Sequence, residues 1–155
     1  MLKFELAWEA DMAEVKLKST GTQLMGVGIA GQPLCLGMGN QNGSGYVSVV
    51  TNSGNPYQWQ FVILGSDGQT TKLYIGTGDG QSWWTIPGDN PFPGCVSLMP
   101  GGQDVASTII YDNATSSLNA AFGPNGYLAP TGGPSGFYFA TNNQASSPVV
   151  FFAPS

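Results

Sequence analysis

The chain has 155 residues, only 8% of them charged, a formal net charge of −5 and no histidine. That length fits one domain with room for a core, and four lysines without any arginine are too few cations for phosphate binding or for an anionic membrane surface. The missing histidine removes Ser-His and Cys-His nucleophile pairs and His-bearing zinc sites, so no metal or other cofactor is implied.

The first segment stands apart. Residues 1–18 carry Lys3, Glu5, Glu9, Asp11, Glu14, Lys16 and Lys18, whereas residues 19–155 carry only Lys72 and five aspartates. Leu2, Phe4, Leu6 and Trp8 alternate with polar or small neighbours, a period of two that predicts a half-buried strand. Residues 10–18 read more readily as strand than helix, because Val15 and Leu17 continue the alternation. We take residues 1–20 as a charged N-terminal extension with a capacity for homo-oligomer contact, and residues 21–155 as one domain. No stretch of about 18 apolar residues occurs, so no membrane span is expected. Residues 1–20 also lack the apolar centre of a secretory signal. Expected locations are the cytoplasm or release without a signal peptide, with a mature secreted form also compatible.

From residue 21 onward, short apolar runs alternate with Gly, Pro, Asn and Asp turn signals, the pattern of an all-β domain. One passage recurs. Gly45-Tyr46-Val47-Ser48-Val49 returns as Gly94-Cys95-Val96-Ser97-Leu98 and, more loosely, as Gly136-Phe137-Tyr138-Phe139-Ala140. A spacing of about 45 residues marks one supersecondary unit copied three times, over about 21–66, 67–113 and 114–155. In the first copy the predicted strands are Thr22–Val27, Pro33–Met38, Tyr46–Thr51 and Gln58–Ile63. The second has Lys72–Gly76, Trp83–Ile86, Cys95–Met99 and Thr108–Tyr111. The third has Ser117–Phe122, Tyr127–Ala129, Phe137–Thr141 and Val149–Phe152.

Leu24, Leu73 and Leu118 fall at equivalent places on the first strands, and Trp59, Ile109 and Val149 at the closing hydrophobes. Small-Gly pairs mark the first hairpin turns at Ala30-Gly31, Asp79-Gly80 and Asn125-Gly126, the last two being the Asp-Gly and Asn-Gly signals of tight turns in which Gly supplies positive φ. Cys35 and Cys95 are too sparse for a disulfide scaffold and read as free, buried thiols.

Three units of four strands, with Tyr57-Gln58-Trp59-Gln60-Phe61 at the end of the first, resemble the β-trefoil family and, within it, the ricin-B-type lectins. The resemblance covers roughly residues 20–155. It implies a six-strand barrel capped by three hairpins, and a non-catalytic carbohydrate-binding protein of a defence, toxin or adhesion setting. The pentapeptide looks like the family's Gln-x-Trp motif with Tyr in place of the first Gln. The family's acidic residue after the second strand's Cys-Leu is missing: Gly37 follows Cys35-Leu36, and Thr85 and Ala129 hold the matching places. Val50, Met99 and Thr141 stand where the family has an outward aromatic. The family's sugar site is therefore not carried over.

A sugar site needs an aromatic face and a few fixed polar groups. In the first copy Asn40, Asn42 and Tyr46 supply these types. In the second, Trp84 is expected to face outward beside Asp89 and Asn90, since neighbours on a strand face opposite sides. Asp67, Asp79, Asp89, Asp104 and Asp112 fall mostly in predicted turns, where Asp bonds local backbone, so paired-carboxylate catalysis is not expected and the chain reads as a non-enzyme. The expected partners are glycans or glycoconjugates. Two alternatives remain. Residues 88–94 form a Pro-containing loop of the kind trefoil protease inhibitors expose, and the charged extension could serve an oligomerising or toxin-complex component.

Overall fold

The computed structural model describes residues 14–17, 19, 21–29, 32–41, 43–51, 57–86, 95–121, 126–133, 136–142 and 147–152. They form β1 (Glu14–Val15), β2 (Thr22–Ile29), β3 (Gln32–Gln41), β4 (Ser44–Thr51), β5 (Trp59–Ser66), β6 (Thr70–Thr77), β7 (Ser82–Thr85), β8 (Ser97–Pro100), β9 (Ile109–Asp112), β10 (Ser117–Ala120), β11 (Tyr127–Gly133), β12 (Gly136–Asn142) and β13 (Val149–Phe152), with a 3-10 turn at Gln103–Val105. The expected strand at Leu2–Trp8 lies outside the described residues.

Every ladder is antiparallel. Seven strands close a barrel in the order β2, β3, β4, β8, β7, β6, β5 and back to β2. Closure removes the unpaired edges that an open sheet would present. A second circuit runs through β2, β5, β6, β9, β10 and β13. Its last joint is a single bridge, Ser117↔Pro148, together with the Val149 N–H donating to the Ser116 carbonyl at 2.7 Å.

The pairing repeats with the sequence copies. In the first copy β2 pairs with β3 and β5, and β3 pairs with β4. In the second, β6 pairs with β7 and β9, and β7 with β8. The third follows the same plan with β10, β11, β12 and the bridged β13. The hairpins then meet one another. Gly45↔Leu98 and Tyr46↔Ser97 join β4 to β8, Phe137↔Val49 and Tyr138↔Ser48 join β12 to β4, and Cys95↔Ala140 completes the triangle.

The repeated hydrophobes explain why these strands hold. Leu24, Leu73 and Leu118 are all buried, as are Trp59, Ile109 and Val149. At the centre, Trp84 stands edge-on to Trp59 at 5.4 Å and to Phe139 at 5.9 Å. The Trp59 indole N–H donates to the Leu36 carbonyl at 3.3 Å, and Tyr57 tilts against the Trp59 ring at 4.8 Å. In Tyr57-Gln58-Trp59-Gln60-Phe61, Trp59 and Phe61 therefore face the core while Gln58 is exposed. Both cysteines are free and buried.

Strand ends differ from expectation where side-chain pattern is a poor guide to backbone pairing. β5 continues to Ser66 through a register shift between Ile63 and Gly65, the mark of a β-bulge. β11 runs past Ala129 and through Pro130 to Gly133. Among the described residues it pairs with β10 only at Tyr127, and Pro130 sits opposite Phe139 in the ladder with β12. Cys95 makes its isolated bridge with Ala140, and β8 begins only at Ser97.

The turns use aspartate as the sequence suggests. Asp67 Oδ1 accepts from the N–H groups of Thr70 at 2.7 Å and Gln69 at 2.9 Å. Asp79 Oδ1 accepts from the Thr77 hydroxyl at 2.6 Å and the Gln81 N–H at 3.0 Å, with Gly80 at φ +74° completing the turn. Asp112 Oδ1 accepts from the Ala114 N–H at 2.9 Å. The Ala30-Gly31 pair and Asn125 lie outside the described residues.

Two outcomes follow. Trp59→Ala empties the centre of the core and should lower unfolding free energy by about 3–5 kcal/mol, measured by denaturant titration. Backbone N–H groups hold the Asp67 carboxyl below the usual carboxylate range, and the Thr77 hydroxyl, then the Gln81 N–H, do the same for Asp79. A depressed folded pKa gives stability that is present above the ordinary carboxylate value and lost as pH falls through the folded one. The unfolding midpoint should hold steady near neutrality and drop on acidification, and Asp79→Asn should shrink that drop in a pH series of thermal melts.

Candidate ligand-binding face

The face of interest arises from strand register. Residues paired across a ladder point to the same side of a sheet, and alternate residues along a strand point to opposite sides. Val47, Val49, Val96, Leu98 and Trp84 face the core. Tyr46, Ser48, Ser97, Thr85 and Trp83 therefore share the other face. Tyr46↔Ser97 and Thr85↔Ser97 set three of them in one row across β4, β8 and β7.

Tyr46 is half-buried, and its ring lies across Gly39 of β3, its register partner. A Cβ at Gly39 would collide with the ring, so glycine is what allows the phenol to lie flat. Ser97, Ser48 and Thr85 lie on the same face, each less than 9% exposed. Cys95 Sγ lies 3.7 Å from Ser97 Oγ. Among the described residues the hydroxyls of Ser48 and Thr85 have no hydrogen-bond partner, and neither do the indole N–H groups of Trp83 on this side and Trp84 in the core. A buried polar atom left so costs about 1–3 kcal/mol and is ordinarily met by a partner, ordered water included.

The sequence-predicted residues fare unequally. Tyr46 lies on this face, whereas Asn40, paired with Gly45 on β4, falls on the other side of the sheet. Asn40 is exposed, and its Oδ1 accepts the Gly43 N–H at 3.1 Å, so part of its hydrogen-bonding capacity serves the turn. Asn42, Asp89, Asn90 and the 88–94 loop lie outside the described residues. Trp84 is a correction: it is fully buried in the aromatic centre and offers no platform to a ligand. The premise that Trp83 and Trp84 face opposite sides holds, but the outer side is not solvent there. Trp83 is 3% exposed because its ring packs onto Gly76 of β6, where a Cβ would stand 2.7 Å from the ring.

The sequence reading also missed the hydroxyls. Ser48 sits two residues from Tyr46, Ser97 across a ladder from it, and Thr85 across the next ladder from Ser97. The signal was the polar alternation inside strands read only for their apolar members.

Few reactive groups gather elsewhere. Burial pushes the Cys35 thiol up to about 11, which keeps it protonated and unreactive at neutral pH. No cluster of three His, Cys, Asp or Glu side chains comes together among the described residues. No helix of the described residues is long and apolar enough to cross a membrane.

No family model matches the sequence, and no curated protein or solved structure matches it.

The close fit of Trp83 to Gly76 is directly testable. Gly76→Ala forces an overpacked contact and should destabilise the fold by about 1–3 kcal/mol, read by denaturant unfolding. The Trp83→Phe, Gly76→Ala pair should recover part of that loss.

Proposed function

We propose that the chain is a β-trefoil that binds carbohydrate, without catalysis, on the face shared by its first two hairpins. Support for the trefoil comes from the threefold repetition of one pairing plan and from the triangle in which the three hairpins meet. Support for the ligand class comes from the face itself. A flat phenol beside buried hydroxyls suits a sugar, whose ring has an apolar side and a hydroxyl rim. The low charge of the chain favours a ligand held by hydrogen bonds and apolar contact over one held by ion pairing.

The observation that carries this reading is the Tyr46 ring laid over Gly39 next to Ser97 of the neighbouring hairpin. It joins residues from two sequence copies into one site, so the ligand is read at their junction rather than three times over.

The test is a glycan array followed by calorimetry on the full chain. Tyr46→Ala should weaken the best-binding glycan by about tenfold or more while the unfolding midpoint stays within a few degrees. Ser97→Ala should weaken it less. Absence of binding to any glycan at millimolar concentration, by a folded chain, would overturn the proposal.

A further inference from the structure

A pocket of about 500 Å³ opens among β5, β6, β9, β13 and the segment after β1, and none of its described lining residues belongs to the three hairpins. Its size is that of a small-molecule site. We propose that it binds a small amphipathic carboxylate, with the charged head at Lys16 and the apolar body against Ile63, Val149 and Phe151.

The lining mixes apolar and polar side chains. Val149 and Phe151 are buried core residues, and Ile63 is 38% exposed. Tyr111 lies beside them, its ring edge-on to Phe151 at 5.5 Å. Lys16 and Asn113 also line the pocket. Asn113 is fixed in the turn between β9 and β10, because its Nδ2 donates to the Gly68 carbonyl at 3.1 Å.

Lys16 is held in place by its backbone. The side chain of the fully buried Gln23 donates to the Lys16 carbonyl at 2.7 Å. Just before it, Glu14 and Val15 pair with Phe152 and Phe151 of β13. The Lys16 side chain is exposed and lines the pocket, and it forms no ion pair with a described residue.

The charge balance narrows the ligand further. A chain of net charge −5 repels anions at long range, so one lysine compensates one negative charge at close range and no more. That favours a carboxylate over a phosphate ester, and the apolar wall favours an acid with an aromatic or branched body over a small polar one. This site is separate in place and chemistry from the proposed sugar face.

The experiment uses the full chain at neutral pH with three probes of one shape: 3-phenylpropionate, its primary amide, and phenyl phosphate. Binding is followed by calorimetry and by the NMR signals of Ile63 and Val149. The carboxylate should bind, and the amide and the phosphate should each bind about tenfold more weakly. Lys16→Gln should bring the carboxylate down to the level of the amide and leave the amide unchanged. Lys16→Arg should keep the preference. Ile63→Ser should weaken both carboxylate and amide, and since Lys16 and Ile63 are exposed, thermal melts of these variants should match the parent. Equal binding of acid and amide, phosphate binding as tight as carboxylate, an unchanged affinity in Lys16→Gln, or no binding of any probe would each overturn the proposal. None of these outcomes bears on the sugar face, which Tyr46→Ala tests by itself.

Discussion

Three aromatic side chains meeting edge-on set the terms for the rest of the molecule. Trp59 comes from the first sequence copy, Trp84 from the second and Phe139 from the third. Each buries a large apolar area, and edge-to-face pairs add about 0.5–1.5 kcal/mol beyond that burial. Because one ring comes from each copy, no single copy can assemble this centre. The copies must close on one another, and closure in turn leaves the barrel without the long open edges that invite aggregation.

The outer face of the hairpins follows from that centre. With Trp84 turned inward, β7 presents Trp83 and Thr85 on its other side. The pairing of β7 with β8, and of β8 with β4, carries this face to Tyr46. Glycine decides how the aromatics lie there: Gly39 accepts the Tyr46 ring and Gly76 accepts the Trp83 ring. Beside them lie the buried hydroxyls of Ser48 and Thr85, which have no hydrogen-bond partner among the described residues. The packing that stabilises the barrel thus also shapes the face proposed for a sugar.

Charged side chains among the described residues serve different ends. Asp67, Asp79 and Asp112 tie turns through backbone N–H groups, so three carboxylates are committed to local structure. Lys16 is the contrasting case. Its carbonyl is anchored by a buried glutamine, while its side chain lines the pocket without an ion-pair partner among the described residues. A cation beside apolar side chains gives this pocket a chemistry different from that of the hairpin face.

Much of this was legible in the residues. Alternation and turn signals located all twelve strands of the repeats, because side-chain direction along a strand has a period of two whatever the strand pairs with. The repeated leucines and closing hydrophobes identified core positions for the same reason. Strand ends were less legible: the bulge in β5 and the passage of β11 through Pro130 depend on which neighbour pairs where. The candidate site was legible in part. Tyr46 was visible as an aromatic beside an Asn-rich turn, but Trp84 was placed on the wrong side of the protein wall. Local pattern says that two adjacent tryptophans face opposite ways. It does not say which way is solvent, since that depends on Gly76 in one neighbouring strand and Trp59 in another copy. The sequence by itself determined an all-β chain in three copies, with its core positions and turn residues. Only the tertiary structure decided that Tyr46 would lie beside Ser97 and that Lys16 would stand over a pocket, because those contacts join segments far apart in the chain through registers that no local pattern encodes.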